Sequence, residues 1–281
     1  MTRRPKSRLP PKLPDPVRER APAAERPPSL GQRLKDSRVS GRSNEFGRDE
    51  IAALMRRVSR NDERALLGCA PFSGVTLADV QAAVAAVYGW DGDGARAAIA
   101  ARCTIAGFEA GLDRIVEVAR AGGRLAFATT CPASLFTIHR ALAAEAVRAG
   151  GAVFDAIESG TISDRGPRAT RLRWIDRVAM VSDGRALLDG ASARPDAAEE
   201  LLFSAGTVDL VVADRVFAGV ALGAGLEVVA FAGLDALAFA VASWRGLAVR
   251  VIPLAEQRPP SAYEPLLELL PDSASSVGTT G

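Results

Sequence analysis

The sequence predicts an α/β protein with a mainly parallel sheet and helices on both faces, a Rossmann-like three-layer sandwich. Three observations predict it. The chain has 281 residues, 48% of them hydrophobic, which is enough for a sizeable core. Short, nearly unbroken apolar runs recur at RLAFATT (124–130), VDLVVAD (208–214), LEVVAFAG (226–233) and LAVRVIPL (247–254). Such runs suit strands buried on both faces, and helical-period segments separate them, the rhythm of βαβ units with right-handed crossovers.

Each element has its own justification. Residues 44–68 place Ile51, Leu54, Met55 and Val58 on one face of a helix. A second helix is opened by Thr76 with Asp79 three positions on, a variant capping box, and closes near Gly89. WDGDG (90–94) reads as a turn, and 107–123 as a helix ended by its glycines. Pro132 suits the first turn of the helix after RLAFATT, and AVFDAIE (152–158) follows as a strand. From 171 to 190 the alternation of Trp174, Val178, Met180 and Val181 around Asp176-Arg177 predicts a hairpin or edge strands. Pro195 starts a further helix, RVFAGVALGAG (215–225) is another, and LDALAFAVASWRG (234–246) forms a third, capped by Asp235.

Charge divides the chain unevenly. Residues 1–43 hold twelve Arg or Lys against four Asp or Glu, about +8 within a net +2, so the remainder is near −6. Rich also in Pro, this stretch is expected to be a disordered tail able to meet an acidic partner or nucleic acid. Residues 44–270 are then one α/β domain, and 271–281 a polar tail. No apolar core with a cleavage site appears near the N-terminus, and no run of 18 uncharged apolar residues follows, so a soluble cytoplasmic protein is expected.

Missing residue types narrow the chemistry. The only lysines are Lys6, Lys12 and Lys35, which leaves residues 44–270 without a P-loop or Schiff-base lysine. One histidine, His139, and three scattered cysteines speak against a His/Cys zinc site, and no Gly-x-Gly-x-x-Gly loop follows a strand, so no nucleotide cofactor is indicated. A metal would have to sit on carboxylates and suit Mg²⁺ or Mn²⁺.

Ligands of open α/β sheets bind beyond the carboxyl ends of the strands, at helix N-termini where backbone N–H groups are unpaired. Three such ends carry polar residues: Thr129-Thr130-Cys131 with Ser134 in the next turn, Asp214-Arg215, and Asp235. Thr129, Thr130 and Ser134 are the candidate anion ligands, with the Ala133 and Ser134 N–H groups beside them. Asp214 and Asp235 are the candidate metal ligands, with Asp214 and Arg215 as the catalytic pair. N-capping accounts for the threonines and for Asp235 about as well, and less readily for Asp214, which Arg215 follows directly at the end of an apolar run. Cys131 as nucleophile lacks an arginine six positions on, where Thr137 stands, and His139 lies two turns along the helix. That histidine is expected to be satisfied or solvent-facing, on a face away from the turn.

FATTCPASLFTIHRALA, RWIDRVAMVSDGRALL and the stretch from Val208 to Leu254 followed by PPSAYEPL resemble an actinobacterial phosphatase family, well over 122–267 and loosely over 45–121. The resemblance implies an α/β hydrolase of a small phosphorylated metabolite. Relatives show Asp-His-Gly where this chain has Asp214-Arg215-Val216, Asn-Asp at Leu234-Asp235, and Thr-His near Ala191-Ser192. Only the aspartates carry over. The expected function is therefore a metal-dependent phosphatase, and the alternative is a catalytically silent binder of a small anionic ligand.

Overall fold

The structure, a computed structural model, describes residues 28–271 except 91, 93, 94, 164–168 and 191–194. The expected turn over 90–94 lies mostly outside the described residues, Ala191-Ser192 lies wholly outside them, and so do 1–27 and 272–281 of the two expected tails.

In chain order the elements are α1 (Leu30–Asp36), β1 (Gly41–Gly47), α2 (Arg48–Ser59), α3 (Glu63–Leu66), α4 (Leu77–Tyr88), β2 (Arg96–Ile99), α5 (Ala101–Arg120), β3 (Arg124–Ala128), α6 (Pro132–Arg148), β4 (Ala152–Val153), β5 (Glu158–Ser163), β6 (Thr170–Ile175), β7 (Val178–Ser182), α7 (Pro195–Ala205), β8 (Leu210–Asp214), α8 (Arg215–Gly223), β9 (Val228–Ala232), α9 (Leu237–Trp244), β10 (Val249–Pro253) and, after a 3₁₀ turn at Pro260–Tyr263, α10 (Glu264–Leu267). The main sheet has eight strands in the order β10-β9-β8-β3-β7-β6-β5, with β4 beside the start of β3. Its centre is parallel from β10 to β7, and β6 and β5 complete it as an antiparallel edge. The α/β class, the parallel sheet and the hairpin at its edge agree with the sequence.

Strand alternation divides the core between two faces, because successive side chains point to opposite sides of a sheet. Ala126, Ala128, Ala213, Ala230 and Ala232 face the layer of α2, α4, α7, α8 and α9, whereas Leu125, Phe127, Val212 and Phe231 face α1, α5 and α6. Small residues on the first face let its helices approach closely. On the same side Gly219 of α8 packs against the segment after α3, where a Cβ would lie 2.0 Å from the Leu67 carbonyl oxygen.

Several elements differ from the sequence reading, each for a physical reason. Helix α1 lies inside the stretch whose composition suggests a tail; Leu34 and Val39, both fully buried against α5 and α6, anchor it. β1 then pairs antiparallel with β2 in a separate two-stranded sheet that the sequence reading did not include. The expected strand at 152–158 is reduced to Ala152–Val153, since β7 takes the rest of that flank of β3. Helix α9 begins at Leu237 behind Ala236, and its N-terminus receives no side-chain cap from Asp235. The capping box at Thr76 and Asp79 and the Gly89 closure of α4 are as expected.

After β3 the chain leaves toward β7, and it returns through α7 to place β8 on the other side of β3. The order therefore reverses between β3 and β8. Such switch points open a crevice at the carboxyl ends of the strands.

Candidate functional site

Two polar clusters occupy the carboxyl edge. The first joins β3 to β8. Asp214 is fully buried; its Oδ2 accepts from the Thr129 hydroxyl, and its Oδ1 accepts from the Thr130 N–H at 2.8 Å and the Thr130 hydroxyl at 2.6 Å. Thr129 Oγ1 in turn accepts from the Cys131 N–H at 3.0 Å. Burial pushes the Asp214 carboxyl above its ordinary range, against the pull of the threonine bonds and the Arg215 charge.

The expected anion cradle is closed in this arrangement. The Thr130 hydroxyl serves Asp214, the Ser134 N–H donates to the Cys131 carbonyl at 3.0 Å, and Thr129, Thr130, Cys131 and Ser134 are all buried. The Cys131 thiol is pushed far up by burial and by the neighbouring Asp214 and Glu256 charges, the reverse of an activated nucleophile.

His139 departs from expectation. It is neither satisfied nor solvent-facing: the ring is fully buried, both nitrogens lack a hydrogen-bond partner among the described residues, Nε2 lies 3.8 Å from Asp214 Oδ2, and Phe231 packs 4.7 Å away. Two helical turns bring the ring beneath the switch point rather than to the surface. Burial lowers its pKa to about 3, so the imidazole is neutral.

The second cluster lies over the ends of β8, β9 and β10. Arg215 Nη2 donates to Asp235 Oδ2, and Arg215 Nε donates to Glu256 Oε2 at 2.6 Å. Glu256 Oε1 accepts from the Gly233 N–H at 2.7 Å. A Cβ at 233 would come within 2.8 Å of Asp235 Oδ1, so a side chain there would push that carboxylate aside. Burial raises Glu256 to about 8, with the Arg215 charge opposing and the Asp235 and Asp214 charges assisting. Burial also works against the Arg215 charge, but Glu256 and Asp235 more than compensate, so the guanidinium stays protonated.

The chain's two tyrosines hold the loops that present these carboxylates. Tyr88 of α4 donates to the Gly233 carbonyl at 2.8 Å, and Tyr263 donates to the Ala255 carbonyl at 2.7 Å. Above the cluster, a cavity of about 90 Å³ is bounded by Arg215, Asp235 and Glu256 on the sheet side and by Arg38, Ser40 and Arg42 on the other.

Thr129, Thr130 and Asp214 are thus brought together in one cluster, and Arg215 and Asp235 in the other; Asp214 turns to the threonines and Asp235 to Arg215. These donors do not fit a divalent ion as arranged. Both Asp214 oxygens are taken and one Asp235 oxygen is held by a cation; among the described residues no group of three or more His, Cys, Asp or Glu is placed to hold a metal. Sequence reasoning passed over Glu256, although it stands two residues beyond an apolar strand, the same signal that marked Asp214 and Asp235. Arg38, Ser40 and Arg42 carried no signal, because they belong to a stretch that composition assigns to a tail.

Among the described residues no helix is long and apolar enough to cross a membrane. The model of a family described as Phosphatase matches residues 26–277. Neither a curated protein nor a solved structure matches the chain.

Proposed function

The chain belongs to this phosphatase family, and from that premise we propose that it hydrolyses a small phosphomonoester in the cavity above Arg215. The observation that carries this reading is the pair of carboxyl groups on one guanidinium: Glu256, buried and raised toward the protonated form, and Asp235, partly exposed. Two carboxyl groups in unlike environments are a natural acid and base. Asp235 takes a proton from the attacking water as its oxygen bonds to phosphorus. Glu256 gives its proton to the ester oxygen as the P–O bond breaks, and the products are the alcohol and hydrogen phosphate. Arg215 positions both carboxyl groups, and Asp214 fixes the β3–β8 edge without touching substrate. No step here runs through Mg²⁺ or Mn²⁺.

Phosphate release from a panel of phosphomonoesters, assayed with and without Mg²⁺ or Mn²⁺, tests this. Turnover should occur without added metal, fall about 10²- to 10⁴-fold in Glu256→Gln, and persist in Asp214→Asn. Release of nothing from the panel, wild-type turnover in Glu256→Gln, or activity strictly dependent on the metal would each overturn it.

One observation favours a second reading, a silent binder of an anionic metabolite: Arg215 already engages both carboxylates. A ligand that raises the melting temperature yet survives incubation unchanged would decide for it.

A further inference from the structure

The wall of the cavity opposite Arg215, Asp235 and Glu256 is built by the segment that follows α1. Ser40 is only 4% exposed, yet among the described residues its Oγ has no hydrogen-bond partner. A buried hydroxyl left unpaired is costly, so something must meet it when the site is filled. Arg38 has φ +62°, the left-handed region, at the position just past the α1 C-cap where glycine is the usual residue. Its N–H donates to the Lys35 carbonyl, and the next two N–H groups donate to the Leu34 carbonyl, so the turn is locked and the arginine is held there. Arg215, across the cavity, also has positive φ, +43°. Among the described residues, two of the six non-glycine residues in this region of backbone space are arginines lining one cavity. Retained strain of this kind clusters at ligand sites.

Charge points the same way. Arg258 pairs with Glu45, and Arg215 with Asp235 and Glu256. Among the described residues no carboxylate lies within ion-pair distance of Arg38 or Arg42. Arg38 and Arg42, both exposed, and the Ser40 hydroxyl thus line one side of the cavity, where Glu45 is taken up by Arg258, and together they suit a phosphoryl dianion.

We infer that Arg38, Ser40 and Arg42 form the phosphoryl-binding half of this cavity, taking the terminal dianion of a phosphomonoester. The inference shares its cavity with the hydrolase reading but does not depend on turnover, so binding and catalysis can fail separately.

Calorimetric titration of the full chain with inorganic phosphate at low salt tests it, with phenyl phosphate as competitor. One site is expected, weakened about ten- to a hundredfold in Arg42→Gln, Arg38→Gly and Ser40→Ala. Arg38→Gly relieves the left-handed strain and Ser40→Ala removes the orphan hydroxyl, so both should melt no lower than wild type without ligand. Loss of affinity in an equally stable protein cannot then be blamed on misfolding. Phosphate that fails to bind at about 10 mM overturns the proposal. So does affinity unchanged in all three variants, and phenyl phosphate that does not displace phosphate overturns the assignment to a monoester.

Discussion

His139 is the chain's only histidine, so the effect of its titration on stability can be isolated by one substitution. In the folded protein burial lowers its pKa from 6.5 to about 3. Between those values the unfolded chain binds a proton that the folded chain refuses. Stability is therefore complete above pH 6.5 and is lost as pH falls toward 3. A depression of this size corresponds to about 5 kcal/mol once both states are protonated, and to about 2 kcal/mol at pH 5 relative to pH 7.5. His139→Leu removes the titration while keeping a side chain of similar volume against Phe231. Urea unfolding of both proteins at pH 7.5 and pH 5 gives the comparison, and the wild type should lose about 2 kcal/mol more than the variant. Subtracting the variant cancels carboxyl groups such as Glu256, whose raised pKa acts in the opposite sense by costing stability as pH rises through 4.5 toward 8. Equal losses in the two proteins would refute the reasoning. They would mean that Asp214, 3.8 Å from Nε2, is ionised and holds the imidazolium as an ion pair.

The other predictions concern residues on which the readings turn. Asp214→Ala leaves three buried donors on Thr129 and Thr130 without an acceptor, at roughly 1–3 kcal/mol each, so it should melt far below wild type or fail to fold; Asp214→Asn keeps one acceptor and should lose only about 1–2 kcal/mol. Phosphate release should fall on an alkaline limb near pH 8 as Glu256 loses its proton, and a rate flat from pH 6 to 10 would remove Glu256 as the acid. Thiol alkylation of the native protein should leave phosphate release unchanged, because Cys131 is fully buried with its thiol pKa raised; inhibition that Cys131→Ser abolishes would restore the thiol as catalyst. Gly219→Ala should cost about 1–3 kcal/mol or more by driving a Cβ into the Leu67 carbonyl, read as a lower melting temperature at unchanged phosphate affinity.

Pattern within the chain was enough for the α/β class, the parallel strands, the edge hairpin and the caps at Thr76 and Gly89. Each depends on a periodicity or a neighbour a few residues away, and those are local properties of a sequence. It also marked Asp214, Arg215 and Asp235, because a charge ending an apolar run must lie at the rim of the sheet. Tertiary structure alone decided what these residues meet. Thr129 and Thr130 are 84 or 85 positions from Asp214, Arg215 is 41 from Glu256, and Ser40 lines a cavity whose other side comes from strand ends more than 170 residues later. No composition or spacing encodes such distances; they follow from strand order, which places β8 beside β3 and lets α1 and β1 return across the far edge. Thus the threonines expected to hold an anion satisfy a buried aspartate, and a stretch that composition assigns to a tail supplies two of the arginines that line the cavity. A few buried apolar side chains, Leu34 and Val39 among them, anchor that stretch to the fold, and two such residues are too few to outweigh its charge in a reading of composition.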